Sequence, residues 1–161
     1  MNPYLIATGV WEPIKDGNPE ALAFFDNHYS RYHYADGRKP KLFVGPGEKM
    51  VLRTACGRAL WAWRKFKNDD GQQGLNCAIF RNEGAGLSSA LILAAEDFAW
   101  TRWPVQRCYT YVDPKEVKSI NPGYCFEAAG WRKCGVTKKR KLIIYEKYWG
   151  EPRPAADGQE D

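Results

Sequence analysis

The sequence lacks any long apolar run. No window reaches the roughly 18 consecutive apolar residues that a membrane-spanning helix requires, so a helical span is excluded. Met1 to Ile14 shows no basic region followed by an apolar stretch, and no secretory signal peptide is expected. The five cysteines (Cys56, Cys77, Cys108, Cys125 and Cys134) are odd in number and form no CxxC pair, which argues against a zinc knuckle and against a disulfide framework. Buried thiols in a reducing cytoplasm are expected instead. Asp26, His28, His33 and Asp113 are metal-ligand types, but the spacing of the first three is not diagnostic, and no required metal is expected. There is no internal repeat.

A chain of 161 residues suffices for one domain with a real core. Its apolar and charged shares, 44% and 27%, are those of an ordinary globular protein. Seven tryptophans are many for this length, and such rings belong to core or to binding surface. The net charge of +5 understates the basic character of most of the chain, because residues 151–161 hold four acids and one arginine and contribute −3, leaving about +8 elsewhere. An anionic partner is expected: a nucleotide cofactor, a nucleic acid, or both. Residues 1–150 are expected to form the domain, followed by a disordered acidic tail over 151–161.

Periodicity and turn signals order the elements. Leu5 to Trp11 reads as a strand. Asn18 and Pro19 are the cap and first position of a helix that runs to about Tyr29, and a polar loop follows from Ser30 to Lys41. Met50 to Ala55 and Ala59 to Lys67 flank a turn at Cys56–Gly57 and suggest a hairpin. Leu75 to Phe80 is a strand. Leu87, Leu91, Ala94, Ala95 and Phe98 fall at helical spacing over Leu87 to Arg102, and Pro104 ends that helix. Cys108 to Val112 is a strand, Gly123 to Ala129 a short helix, and Trp131 to Val136 and Lys141 to Tyr148 a final pair of strands. This alternation predicts an α/β (α+β) domain: a mixed, mostly antiparallel sheet flanked by helices.

The most informative segment is the passage from strand to helix at Cys77 to Ser88. Arg81 is followed by Gly84 and Gly86 at the mouth of a helix whose first amides lack internal partners, an arrangement suited to phosphate. Arg81-x-x-Gly84-x-Gly86 resembles the pyrophosphate loop of the GNAT superfamily of N-acetyltransferases. Asn121 and the run Tyr124-Cys-Phe-Glu-Ala-Ala-Gly130-Trp131 resemble a later element of that family, and the likeness extends over roughly Leu5 to Tyr148. The resemblance implies a CoA thioester, acetyl-CoA or another acyl-CoA, held by Phe80, Arg81, Gly84, Ala85, Gly86, Leu87, Ser88 and Asn121. It also implies that backbone amides around Ala78 to Phe80 polarise the acyl carbonyl.

A narrower resemblance is to the Mom proteins of phages, which modify the exocyclic amine of adenine in DNA. It rests on Asn27-His28-Tyr29-Ser30, Asp113-Pro114 and Gly123-x-x-x-x-Ala128-x-x-Trp131-x-x-x-Gly135. His28 and Asp113 match residues important in that family. Phe126 stands where the family has tyrosine, with Tyr124 two residues earlier, and a fourth-strand arginine of the family is replaced near Asn76.

Acyl transfer to an amine needs a neutral amine, a polarised carbonyl and a protonated leaving thiolate. Asp113, at a strand end, is the preferred base, although an aspartate before proline also forms turns. Tyr124 is the preferred acid, with packing on the last strands as its rival role. His28 is a second base or a ligand, unless it caps a helix or is satisfied in the core. Two segments suit nucleic acid. Trp61, Trp63, Arg64, Lys65 and Lys67 interleave rings with cations, though the tryptophans suit a core better. Lys138, Lys139, Arg140 and Lys141, with Arg132 and Lys133, form a basic cluster that equally suits a solvated turn. The expected function is acyl transfer from CoA to an amine, plausibly on a DNA base. An ordinary N-acetyltransferase for small or protein amines, and a non-catalytic CoA- or nucleic-acid-binding protein, remain open, as does the choice of monomer or homodimer.

Overall fold

Side chains of β2 (Glu48–Thr54) and β3 (Ala59–Lys65) alternate between two apolar clusters, and the sheet is built on that alternation. Trp61 and Trp63 face the larger cluster with Met50 and Leu52, while Leu60 and Ala62 face the smaller one with Val51. The computed structural model describes residues 11–21, 47–65, 71–103, 106–115 and 123–149. Their seven strands form one sheet in the order β1-β2-β3-β4-β5-β7-β6, where β1 is Trp11–Ile14, β4 Leu75–Asn82, β5 Arg107–Val112, β6 Arg132–Val136 and β7 Ile143–Tyr148. β4 and β5 pair in parallel and every other neighbouring pair is antiparallel. Parallel strands need a long crossover, and α1 (Ser88–Arg102) supplies it. The mixed, mostly antiparallel architecture expected from the sequence is the one observed.

α1 and the short α2 (Tyr124–Ala128) cover the larger cluster. The segment Ser89 to Glu96 and Ala99 are buried, so α1 is apolar on more than one face, as a helix enclosed by its neighbours must be. Two indoles tie it to the sheet: Trp11 Nε1 donates to the Leu91 carbonyl at 3.0 Å and Trp63 Nε1 to that of Ala95 at 2.9 Å. Trp61 and Trp63 are wholly buried, which settles them as core and removes them as a surface for stacking bases. A buried ion pair crosses to the last strand. Lys147 Nζ lies 2.9 Å from Glu96 Oε1 and donates to the Ala129 carbonyl at 2.8 Å, and Trp131 Nε1 donates to Glu96 Oε2 at 3.0 Å.

Several boundaries move. The first strand reaches Ile14, past the expected end at Trp11, and includes Pro13; β1 is an edge strand, where a missing N–H costs no ladder bond. Its expected start, residues 5–10, lies outside the described residues, as do the helix beyond Ala21, the 30–41 loop and the 151–161 tail. Asn18 is the cap it was expected to be, its Oδ1 accepting the Ala21 N–H at 3.1 Å. All five cysteines are free thiols, but the expectation that they are buried holds only in part. Cys77 and Cys108 are buried, Cys125 is half-buried, and Cys56 and Cys134 are exposed because they fall in a hairpin turn and on an edge strand. Among the described residues no helix is long and apolar enough to cross a membrane, and no three metal-ligand side chains converge.

Candidate active site

The parallel ladder between β4 and β5 is short. It joins Leu75–Cys77 to Cys108–Thr110 and then stops, although β4 continues to Asn82 and β5 to Val112. A bulge falls at the same point. Ala62 pairs with Ile79 and Trp63 with Cys77, so Ala78 has no partner on β3. The strands therefore part beyond Cys77, and Thr110 Oγ1 fastens the vertex by donating to the Cys77 carbonyl at 2.9 Å. Beyond it, the β5-facing backbone of residues 78–82 has no strand partner among the described residues. The amides of Ala78 to Phe80, expected from the sequence to polarise a carbonyl, thus line a gap.

Where β4 ends, the glycine turn begins. Gly84 has φ +91°, a conformation that side chains bearing a Cβ rarely adopt. Asn82 braces the turn from inside: its Oδ1 accepts the Ala85 N–H at 2.9 Å, and its Nδ2 donates to the Gly86 carbonyl and to Ser88 Oγ, both at 2.8 Å. The Ala85 amide is therefore used within the turn. Leu87 caps α1 without a side-chain bond, the first turn holds no acid, and intrahelical bonding begins with the Leu91 N–H. The amides before Leu91 have no intrahelical acceptor, so this end of α1 suits an anion. The side chains of Phe80, Ala85 and Leu87 pack against the larger cluster.

Arg81 is not the unopposed cation that its place in the motif suggests. Its Nε is 3.0 Å from Glu83 Oε1, and the pair offsets its charge. A second arginine, unmarked by any sequence motif, stands beside the turn. Arg58 follows the Cys56–Gly57 turn, its carbonyl accepts the Glu83 N–H at 2.7 Å, and its Nη1 lies 3.7 Å from where a Cβ on Gly84 would be. The proximity follows from the register that pairs Ala59 with Asn82, which no reading of local pattern supplies. The same turn exposes Cys56. Its thiol is pulled below its ordinary range, chiefly by the Thr54 hydroxyl and then by the backbone at Arg58.

Asp113 directly follows β5. Its Oδ1 accepts the Lys115 N–H at 3.0 Å, the local turn its proline neighbour suggested, and it stands on the strand that diverges from β4. Tyr124 opens α2. Phe126 is buried between Phe80 (6.2 Å between ring centroids), Trp131 (5.0 Å) and Tyr145 (6.3 Å), so it is core and leaves Tyr124, two residues earlier, on a different face. Gly123 permits this arrangement: its φ is +85° and a Cβ there would collide with the Tyr145 ring. Burial, then the Glu127 carboxylate and Cys125, hold the Tyr145 hydroxyl above its ordinary range. His28 and Asn121 lie outside the described residues.

The basic residues separate into two ends. Val112 pairs with Ile143, and Ile143 with Val136, so the exposed turn carrying Lys138, Lys139 and Arg140 sits at the same end of the sheet as the glycine turn and Asp113. Arg64 and Lys65 pair with Asn76 and Leu75 at the opposite end, about 20 Å away along β3. The two segments read as suited to nucleic acid thus lie at opposite ends of the sheet.

No family model and no curated protein sequence matches the chain. Solved structures do. A spermidine N-acetyltransferase SpeG point mutant from Vibrio cholerae superposes with a TM-score of 0.59 at 12% identity, covering 86% of this chain and 92% of that one. A second SpeG mutant from the same organism gives 0.56 at 14% identity over 86% and 92%. A chimera of SpeG from Vibrio cholerae and hSSAT gives 0.55 at 14% identity over 86% and 94%. The chain shares the fold of these N-acetyltransferases.

Proposed function

We propose that this protein transfers an acyl group from a CoA thioester to an amine. The observation that carries the reading is the end of the β4–β5 ladder at Cys77 and Thr110, directly ahead of a glycine turn on an uncapped helix. The gap and the turn fit an extended chain that ends in phosphates. Arg58, the backbone at Gly84 and Gly86, the first amides of α1 and the Ser88 hydroxyl would hold those phosphates, and Arg81 contributes less because Glu83 opposes it. Phe80 and the backbone of residues 78–80 would lie along the chain; Asn121 joins them by resemblance alone.

Acyl-CoA supplies the acyl group in an activated form. The protein's work is proton transfer and orientation. The amides of Ala78 to Phe80 donate to the carbonyl oxygen as charge develops on it. Asp113 takes the proton that the amine loses as the C–N bond forms, and Tyr124 returns one to sulfur as the C–S bond breaks. Burial keeps Tyr145 protonated, which makes it the alternative donor. His28 is a second base or ligand by resemblance.

For the acceptor, a specific observation favours a polyanion. Lys138, Lys139 and Arg140 are exposed at the end of the sheet where the gap opens, where they repel a polycation such as the polyamine for which the structural neighbours are named and attract nucleic-acid phosphates. The exocyclic amine of a DNA base, adenine above all by the Mom resemblance, is the acceptor we propose. Mass spectrometry of nucleosides from cells expressing the protein tests it. A new mass on deoxyadenosine or another base, absent with Asp113→Asn, supports it. An unchanged profile with a soluble, CoA-binding protein moves the acceptor to a small-molecule or protein amine.

A further inference from the structure

One face of the sheet is closed where β4 and β5 begin to part. Leu75, Cys77 and Cys108 are buried there in the cluster that α1 and α2 cover. An amine approaching an acyl group held in the gap therefore comes through the open mouth or along the opposite face, where Tyr109 is itself buried. On that opposite face, one residue before the end of the ladder, stands Asn76. Strand pairing sets it between Arg64 of β3 and Tyr109 of β5, and paired residues share a face.

Asn76 is only 8% exposed, and its Oδ1 is buried without a hydrogen-bond partner. A buried amide oxygen left unpaired costs stability, and native interiors rarely leave one without a reason. The guanidinium of Arg107, on the same face, is committed elsewhere. Arg107, whose guanidinium lies 5.0 Å from the Tyr109 ring centroid, spends its N–H groups on Glu146, Gln72 and the Gln73 carbonyl. The next position along β4 from the vertex is the bulged Ala78, whose backbone lines the gap. An acceptor oxygen thus waits beside the place where the reaction brings a nitrogen with hydrogens to donate.

We propose that Asn76 positions the acceptor: its side-chain carbonyl accepts one N–H of the incoming amine and so aims the nitrogen lone pair at the acyl carbon. The proposal rests on the acyl-CoA reading above. It assigns the acceptor as a primary amine, which keeps a second N–H to lose while the first is held.

The test compares wild type with Asn76→Leu, which keeps the approximate shape and removes the oxygen, and with Asn76→Asp, which keeps an oxygen. Thiol release from acetyl-CoA is followed with spermidine and with a duplex oligodeoxynucleotide as acceptor probes, beside acetyl-CoA affinity by calorimetry and thermal melting. The proposal expects Asn76→Leu to lower kcat/KM for the acceptor at least tenfold, with acetyl-CoA affinity unchanged and Tm unchanged or raised. Asn76→Asp retains most of the acceptor kinetics. Unchanged acceptor kinetics in a folded Asn76→Leu protein overturns the proposal, as does a lowered Tm with kinetics intact. If Asn76→Leu does not fold, loss of acceptor kinetics in a folded Asn76→Asp protein overturns it. Failure of the wild type to bind acetyl-CoA overturns the acyl-CoA reading itself and is thereby distinguished.

Discussion

Arg81 and Glu83 form an ion pair at 3.0 Å on the very turn whose glycines were read as a phosphate cradle. The motif's own cation is thus half spent before any ligand arrives, and a second positive charge, that of Arg58, stands beside Gly84. This relationship sets the first prediction. Arg58→Gln weakens CoA binding by about ten- to a hundredfold, the worth of a charge-assisted contact of about 1.5–3 kcal/mol, and Arg81→Gln weakens it less. Calorimetric titration of CoA into both variants ranks them; the reverse order returns the main role to Arg81.

The buried pair of Lys147 and Glu96 holds the last strand to α1. Lys147→Met leaves the Glu96 carboxylate buried without the ammonium that opposes its charge, and is expected to cost about 3–5 kcal/mol. Adding Glu96→Gln removes the stranded charge and recovers part of that loss. Urea denaturation of the single and double variants gives the coupling. Additive losses would show that the two side chains do not share one network.

The thiols separate by environment. Cys56 is exposed and held below its ordinary range, while burial, reinforced by Glu146, raises Cys134 despite Arg107. A lower pKa means more thiolate at a given pH, so as pH rises Cys56 becomes reactive first. Brief iodoacetamide treatment near neutral pH, read by peptide mass spectrometry, is expected to label Cys56 ahead of Cys134 and to spare the buried Cys77 and Cys108. Prior labelling of Cys134 would contradict the assignment.

Much of the fold was legible because local chemistry and topology agree. Cys56–Gly57 marked its hairpin, Asn18 its cap, and the apolar spacing of Leu87 to Arg102 its helix. The glycine turn was legible for the same reason: its signal lies within six residues. What stayed hidden depends on register. Arg58 meets Gly84 only because Ala59 pairs with Asn82, and Asn76 reaches the vertex only because the ladder ends at Cys77. Asn82 occupies a variable position of the motif, so its brace on Ala85, Gly86 and Ser88 carried no signal in the pattern. Arg64 and Lys65 look like company for Lys138 to Arg140 in composition, yet the strand directions set them at opposite ends of the sheet.

The central claim is that the turn at Gly84 holds the phosphates of an acyl-CoA. Isothermal titration of acetyl-CoA into the wild type and Gly84→Glu tests it most directly. Glutamate at φ +91° strains the turn and sets a negative charge where phosphate belongs. The account predicts saturable one-to-one binding to the wild type and none to the variant, with α1 and the sheet still folded by circular dichroism. A wild type that does not bind acetyl-CoA, or a folded variant that binds it equally well, would contradict it.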